Sequence, residues 1–216
     1  MRSYLSPIGY DSTRVTRPVI SYGLDTDDSI ILLRPELEMD DNRASQAIRD
    51  VRQMIMQIEP DVSIRIEEVP HDDFQGAVAA ICDIFENTNG EVIVNLSGGA
   101  RDIFLALCVS SMVHLDRIST IVSFSDIDGD VREISLPDLT VDAPSASFET
   151  LVTIAKLGRP VSISELTEER DIAKSTVTRH LQQLESRGLV DTWQEGKSKF
   201  AQITFSGILL VRSNGQ

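Results

Sequence analysis

The 216-residue sequence is poor in the residues that build disulfides, metal sites and membrane spans. Its 2 cysteines, Cys82 and Cys108, both fall within apolar helical patterns, which predicts small core residues. Its 3 histidines show no metal-ligand spacing. No run approaches the roughly 18 apolar residues of a membrane helix, and the first residues lack the pattern of a signal peptide. We therefore expect a cytoplasmic protein that holds no metal.

Lysine is absent from the first 144 residues, which contain 11 arginines and 26 acidic residues. All four lysines lie in residues 145–216, where 9 basic residues nearly balance 8 acidic ones. The net charge of −14 for the whole chain argues against a general affinity for polyanions. The uneven distribution of charge assigns any nucleic-acid function to the C-terminal segment. So acidic a segment indicates adaptation to high salt. An acidic partner-binding face is the competing interpretation.

Residues 174–187 have the pattern of a helix that reads DNA. Val177, Leu181 and Leu184 recur at i, i+4 and i+7 and predict one buried stripe. Ser175 or Thr176 is the expected N-cap. The opposite face presents side chains that can reach phosphates or base edges: Lys174, Thr178, Arg179, Gln182 and Gln183. An ordinary amphipathic surface helix would show the same stripe and is the alternative.

The segments around this helix predict a winged helix. A helix at 147–157, a short helix from about Ser164, and strands at 190–193 and 199–205 surround it, with a Gly-containing loop at 194–198. This order resembles winged helix-turn-helix regulators of the MarR and ArsR kind, in which the third helix enters the major groove. That resemblance implies two sets of DNA contacts. They are Lys174, Ser175, Thr176, Thr178, Arg179 and Gln182 on the helix, and Lys197 and Lys199 on phosphates.

The first 140 residues alternate strand and helix, which predicts a mostly parallel sheet covered on both faces. The expected strands are at 3–8, 29–34, 62–69, 91–96, 119–124 and 131–136, and the expected helices at 13–22, 43–58, 74–85 and 100–115. Asn42 is the expected cap of the second helix, and residues 126–130 are expected to form a hairpin turn. The core stripe of that helix is expected to be Ala44, Ala47, Ile48, Val51, Ile55 and Ile58. The fold class is therefore α/β: a Rossmann-like, mostly parallel sheet in domain 1–140, followed by a C-terminal winged helix-turn-helix domain at 145–216.

Two loops of the N-terminal domain follow strands, where open α/β sheets bind ligands. Residues 8–14 follow the first strand, and residues 95–101, Asn-Leu-Ser-Gly-Gly-Ala-Arg, follow the fourth. Gly98 and Gly99 would let the backbone approach an anion at the helix N-terminus, and Arg101 would add a cationic fork. A tight turn capped by Ser97 would use the same residues. The pattern fits neither a dinucleotide fingerprint nor a P-loop, which argues against a dehydrogenase or an NTPase.

Together, the two loops and the winged helix resemble the CARF (CRISPR-associated Rossmann fold) transcription regulators of archaea, and the acidic composition points to a haloarchaeal member. The resemblance covers essentially the whole chain. It implies a homodimer with a cyclic oligoadenylate across its two-fold axis. The matching ligand-binding residues are Gly9, Asp11, Ser12 and Thr13 in the first loop, and Asn95, Ser97, Gly98, Gly99 and Arg101 in the second. Ala100 departs from the family, in which Thr or Ser is common at this position.

We therefore expect a dimeric, non-enzymatic regulator of CRISPR-Cas or related genes that binds double-stranded DNA. Its effector would be a cyclic oligoadenylate, and no cofactor is expected. One alternative is a CARF-type ring nuclease with Ser12, Ser97 or Arg101 near the attacked phosphate. A second is a regulator whose N-terminal domain only dimerises or binds another ligand. Residues 206–216 are expected to form a short helix that extends the dimer contacts.

Overall fold

Strands and helices alternate along residues 1–136 of the computed structural model, which describes residues 1–37 and 41–215. This first unit, Met1–Leu136, is followed by a second unit, Pro137–Gln216. The elements of the first unit are β1 (Arg2–Pro7), α1 (Thr13–Tyr22), β2 (Ser29–Pro35), α2 (Asp41–Ile58), β3 (Ser63–Val69), α3 (Phe74–Glu86), β4 (Glu91–Asn95), α4 (Arg101–Val113), a 3-10 turn (Leu115–Arg117), β5 (Ile118–Phe124) and β6 (Val131–Glu133).

The six strands form one sheet in the order β3-β2-β1-β4-β5-β6. The first five are parallel, and β6 returns antiparallel to β5. The mostly parallel sheet and the hairpin turn at 126–130 are thus confirmed. Strands β1 and β4 are neighbours at the point where the strand order reverses, which is where open α/β sheets form a ligand crevice.

The alternation of side chains along the strands produces a core on each face of the sheet. Leu5 and Val94 pack with Ile81 of α3 and Ile103 of α4 on one face. The preceding strand residues, Tyr4 and Ile93, point the other way and share a core with α1 and α2. Because both faces are covered by helices, β2 and β4 contain continuous apolar runs, at residues 30–33 and 92–94, whereas β1 also buries Ser3 and Ser6.

Two local predictions in this unit were wrong, and a third is confirmed only in part. Helix α2 already includes Asp41, so Asn42 lies inside the helix and does not cap it. Ile58, the last residue of α2, is 49% exposed, so the buried stripe of the helix ends at Ile55. Cys82 and Cys108 are only partly buried, although Cys108 packs against the core and burial raises the pKa of its thiol.

The second unit is a winged helix, as predicted. Its elements are α5 (Ser145–Leu157), β7 (Val161–Ser162), α6 (Ile163–Arg170), α7 (Lys174–Glu185), β8 (Val190–Glu195), β9 (Ser198–Ile203) and α8 (Phe205–Ser213). Its strands pair in the order β7-β9-β8. Leu151, Leu166 and Leu181 bring α5, α6 and α7 together around one core. The short C-terminal helix is confirmed as α8. No helix in the described ranges is long and apolar enough to cross a membrane.

Candidate functional site: a cleft and a winged helix

A cleft of about 950 Å³ opens at the carboxyl ends of β1 and β4. The predicted residues Gly9, Asp11, Ser97, Gly98, Gly99 and Arg101 line it. Ser12 and Thr13, at the start of α1, and Asn95, at the end of β4, do not. Further lining residues were not in the predicted set: Tyr10, Arg14, His71, Phe104, Phe124 and Asp126. The two loops that the sequence singled out therefore meet in one site.

The floor of the cleft is the turn formed by Gly98 and Gly99, here called the glycine turn, which contacts the first loop. Gly98 and Gly99 have φ angles of 77° and 75°, a region that favours glycine. A Cβ on Gly99 would lie 2.5 Å from the Pro7 Cβ, and a Cβ on Gly9 would lie 3.3 Å from the Gly99 Cα. Both loops thus need bare backbone at their contact. Ser97 does not cap the helix, because its Oγ accepts a 2.6 Å hydrogen bond from the Phe124 amide.

Helix α4 begins at the cleft without a capping side chain. Its N-cap is Ala100, which is extended and makes no side-chain cap hydrogen bond within the described part of the chain. A Ser or Thr hydroxyl at that position would accept from the first-turn amides. With Ala100 those N–H groups, at the positive end of the helix dipole, remain available to an anion, and Arg101 lies exposed beside them.

Asn95 has a structural role that originates in a proline. Pro18 lies inside α1 and has no N–H, so the carbonyl of Arg14, four residues earlier, gains no helical hydrogen bond from it. The Asn95 amide nitrogen donates to that carbonyl at 2.8 Å and to the Ser6 hydroxyl at 2.7 Å. Asn95 is buried, and its Oδ1 has no hydrogen-bond partner among the described residues. The amide therefore ties β4, β1 and α1 together beneath the cleft.

The cations of the cleft are partly neutralised by carboxylates. Arg14 forms ion pairs with Asp126, at 2.8 Å between Nη1 and Oδ2, and with Asp11, at 3.4 Å between Nε and Oδ2. Burial alone would raise the pKa of Asp11. The hydrogen bonds from Thr13 and Arg14 outweigh burial, so the pKa is lowered and the carboxylate stays ionised. Arg101 makes no ion pair among the described residues.

Aromatic side chains line the rim of the cleft. Tyr10 is 47% exposed, and the Arg43 guanidinium lies 4.6 Å from the centre of its ring. Phe104 and Phe124 also line the cavity. The cleft thus combines unpaired helix amides and an arginine, which suit phosphate, with aromatic faces, on which a planar base can stack.

In the winged helix, the predicted stripe of α7 is confirmed. Val177, Leu181 and Leu184 are fully buried. The predicted cap is wrong: the N-cap is Ala173, and Ser175 and Thr176 lie in the first turn. Four predicted DNA contacts on α7 are exposed, namely Lys174, Ser175, Arg179 and Gln182, whereas Thr176 and Thr178 are half-buried. The Thr178 hydroxyl donates to the Lys174 carbonyl at 2.9 Å.

The two wing lysines differ. Lys197 lies at the exposed turn between β8 and β9. Lys199 is half-buried, and its Nζ lies 3.6 Å from Glu185 Oε2 at the end of α7. Glu185 also accepts a hydrogen bond from Thr192 on β8, so it fixes the wing against the helix. The outer face of the wing carries Trp193 stacked on Phe200, with ring centres 6.0 Å apart.

A buried histidine holds α7 against α5. His180 is 5% exposed, and its Nδ1 lies 2.9 Å from the Thr150 hydroxyl oxygen. Burial lowers the pKa of His180, and the nearby charges of Arg179 and Arg170 add to this effect. The burial of His180 was not predicted from the sequence, because a polar residue next to Leu181 looks like part of the exposed face.

The lowered pKa predicts acid sensitivity of the winged helix. In the unfolded chain His180 has its ordinary pKa of 6.5, whereas in the folded protein its pKa is lower. When the pH falls below 6.5, the unfolded chain therefore takes up a proton more readily than the folded protein does. The contribution of His180 to the free energy of unfolding is thus complete above pH 6.5 and is lost as the pH drops toward the folded pKa. His180→Asn keeps a polar atom near Nδ1 and should reduce the fall in the Trp193 fluorescence melting midpoint between about pH 7.5 and about pH 5. The control His71→Asn, an exposed residue of the other unit, should leave that fall unchanged. If the melting midpoint falls equally in the wild type and in His180→Asn, protonation of His180 is not the cause of the acid sensitivity.

Comparisons with known proteins find a matching family for each of the two units. Residues 2–134 match a family model described as the Csa3 CRISPR-associated Rossmann-like domain, and residues 142–195 match the MarR family. A comparison with curated proteins finds no match.

Among solved structures, a mutant of Escherichia coli MarR in complex with operator DNA is 21% identical, with a TM-score of 0.31; the match covers 33% of this chain and 53% of that one. MepR, a transcription regulator of the Staphylococcus aureus multidrug efflux pump MepA, is 23% identical with a TM-score of 0.31, covering 33% and 55%. This chain thus spans about half the length of each. The match to the family model extends over more than half of the chain, from β1 to the end of β6. The protein therefore belongs to the family that carries the Csa3 CRISPR-associated Rossmann-like domain, here followed by a MarR-type winged helix.

Proposed function

We propose that the protein is a dimeric transcription regulator of CRISPR-related genes whose N-terminal cleft binds a cyclic oligoadenylate and whose winged helix binds double-stranded DNA. The CRISPR association of the matched domain supports the assignment to CRISPR-related genes, and the exposed polar face of α7 supports DNA binding. The acidic first unit leaves DNA contact to the second, where 9 basic residues nearly balance 8 acidic ones.

The observation that carries the nucleotide part is the uncapped N-terminus of α4 at the glycine turn. Free amides, Arg101 and the aromatic rim lie in one cleft, and a cyclic oligoadenylate offers phosphates to the first two and bases to the third. Because effector and DNA act on one protein, each must change the affinity for the other by the same factor if they are coupled.

Isothermal calorimetry with cyclic tetra-adenylate tests this assignment. Arg101→Ala is expected to weaken ring binding about tenfold, since one charge-assisted contact to phosphate is lost. Arg52→Ala, which removes the same charge from the exposed surface of α2, should bind as the wild type does. A stoichiometry of one ring for two chains would support a ring shared by a dimer.

Three outcomes would contradict parts of the proposal. Absence of ring binding at every salt concentration, by protein that still binds DNA, would remove the nucleotide from it. Appearance of linear product in the same incubation, seen by chromatography, would favour a ring nuclease. If the ring changes DNA binding neither in the wild type nor in Arg101→Ala, the first unit only dimerises or binds another ligand.

A further inference from the structure

Arg14 lines the cleft, but its guanidinium already forms ion pairs with two carboxylates of the protein. It leaves the first turn of α1 and lies over the glycine turn, where a Cβ on Gly98 would come within 2.8 Å of the Arg14 Cδ. Its guanidinium faces the cleft and is held by Asp126 and Asp11. The donors that a phosphate would use are therefore directed at two carboxylates of the protein itself.

The net charge of the lining residues also opposes the binding of an anion. Three aspartates line the cleft, Asp11, Asp102 and Asp126, against two arginines, Arg14 and Arg101. An entering phosphate therefore meets a lining with more carboxylates than guanidinium groups, and repulsion between like charges within a few ångströms opposes binding. For Arg14 to attract an anion, one of its two carboxylates has to leave.

Asp126 is the carboxylate that can leave. Its side chain is 57% exposed, and ion pairs this exposed are weak, so an incoming dianion or polyanion can compete with it. Asp11 is better held, because its Oδ1 also accepts the Thr13 amide at 2.9 Å within the same loop. Asp126, in contrast, comes from the β5–β6 hairpin, 112 residues away in sequence.

We propose that Asp126 occupies the anion position of the cleft and that a bound ligand phosphate displaces it from Arg14. This inference rests on the proposed nucleotide function and names its regulation. Asp126 then acts as a specificity-determining residue, because a ligand without sufficient negative charge cannot exchange with it. Arg14 keeps a negative partner throughout, first Asp126 and then the ligand.

Displacement also releases the hairpin that carries Asp126. The hairpin itself is closed by the Ser125 amide to the Asp130 carbonyl at 2.9 Å and by the three residues of β6. Beyond β6 the chain runs into the DNA-binding unit, which starts at Pro137. An anion in the cleft therefore alters the restraint on the last element before that unit.

Calorimetry with cyclic tetra-adenylate on the full chain tests the displacement. Asp126→Asn should bind the ring about fivefold more tightly than wild type, because a competing charge is removed a few ångströms from the ligand. Asp130→Asn is the matched control: it removes the same charge from the same hairpin, where Asp130 lies 3.7 Å from Arg132 and makes no ion pair with Arg14. Its affinity should remain within about twofold of wild type.

A double-mutant cycle with Arg14→Gln separates release of Arg14 from general loss of negative charge. The gain from Asp126→Asn should vanish in the Arg14→Gln background. Equal affinities for Asp126→Asn and Asp130→Asn, or a gain that persists without Arg14, would overturn the inference while leaving ring binding intact. Absence of binding by every variant would instead overturn the nucleotide function on which the inference rests.

Hydrogen exchange on the wild-type protein supplies a measurement that needs no variant. Amides of residues 125–133 should exchange faster when the ring is bound, since the Arg14–Asp126 pair no longer restrains the hairpin. Unchanged or slower exchange in that segment, with the ring bound, would also overturn the displacement.

Discussion

Replacing Arg179 with Ala is expected to weaken binding of the preferred DNA site by about ten- to a hundredfold, since an arginine contact to a base edge is worth about 1–3 kcal/mol. Arg179 lies on the exposed face of α7, between the buried Val177 and Leu181. No carboxylate pairs with it in residues 1–37 and 41–215, so its guanidinium is free to contact DNA. Fluorescence anisotropy at fixed salt, with a duplex that the wild type selects from a random library, measures the change.

Arg212→Ala provides the control for charge alone. Arg212 is exposed on α8, outside the helix-turn-helix and the wing, and its loss removes the same single charge. Its effect on affinity should stay small and should be the same on selected and random duplexes. If the two variants weaken binding equally, α7 does not read the site through Arg179. Since both side chains are exposed, unchanged melting midpoints are expected and would show that the fold is intact.

The core of the winged helix was predictable because its signal is periodic and local. The spacing of Val177, Leu181 and Leu184 specifies one face of a helix whatever the rest of the chain does, and all three are buried. The cap was not predictable in this way. Asp171 adopts a left-handed conformation, with φ of 49°, and the chain enters α7 through an extended Ala173. The turn before the helix thus decides where the helix begins.

The cleft shows the same division between local and distant information. The two loops were predictable because each directly follows a strand, and the sheet order brings them together. The pairing of Arg14 with Asp126 joins residues far apart in sequence, and no local pattern indicates it. The structural role of Asn95 depends on Pro18 in another element, so no local pattern indicates it.

Replacing Gly99 with Ala is expected to destabilise the first unit by about 2–4 kcal/mol. Part of the cost is the left-handed backbone, about 1–2 kcal/mol for a residue with a Cβ. The rest comes from overlap, because the new Cβ would lie 2.5 Å from the Pro7 Cβ and β1 would have to shift. Thermal unfolding followed by circular dichroism measures the loss. The single tryptophan, Trp193, lies in the winged helix, so its fluorescence transition reports that unit separately.

Gly129→Ala isolates the overlap from the backbone cost. Gly129 has the same φ of 75°, but a Cβ there would meet no atom within 4 Å. Its replacement should therefore cost only the backbone share, about 1–2 kcal/mol. The difference between the two variants measures the contact of the glycine turn with β1. Equal losses of stability in the two variants would mean that the glycine turn can move away from Pro7. The close approach of the two loops at the floor of the cleft would then not require glycine at position 99.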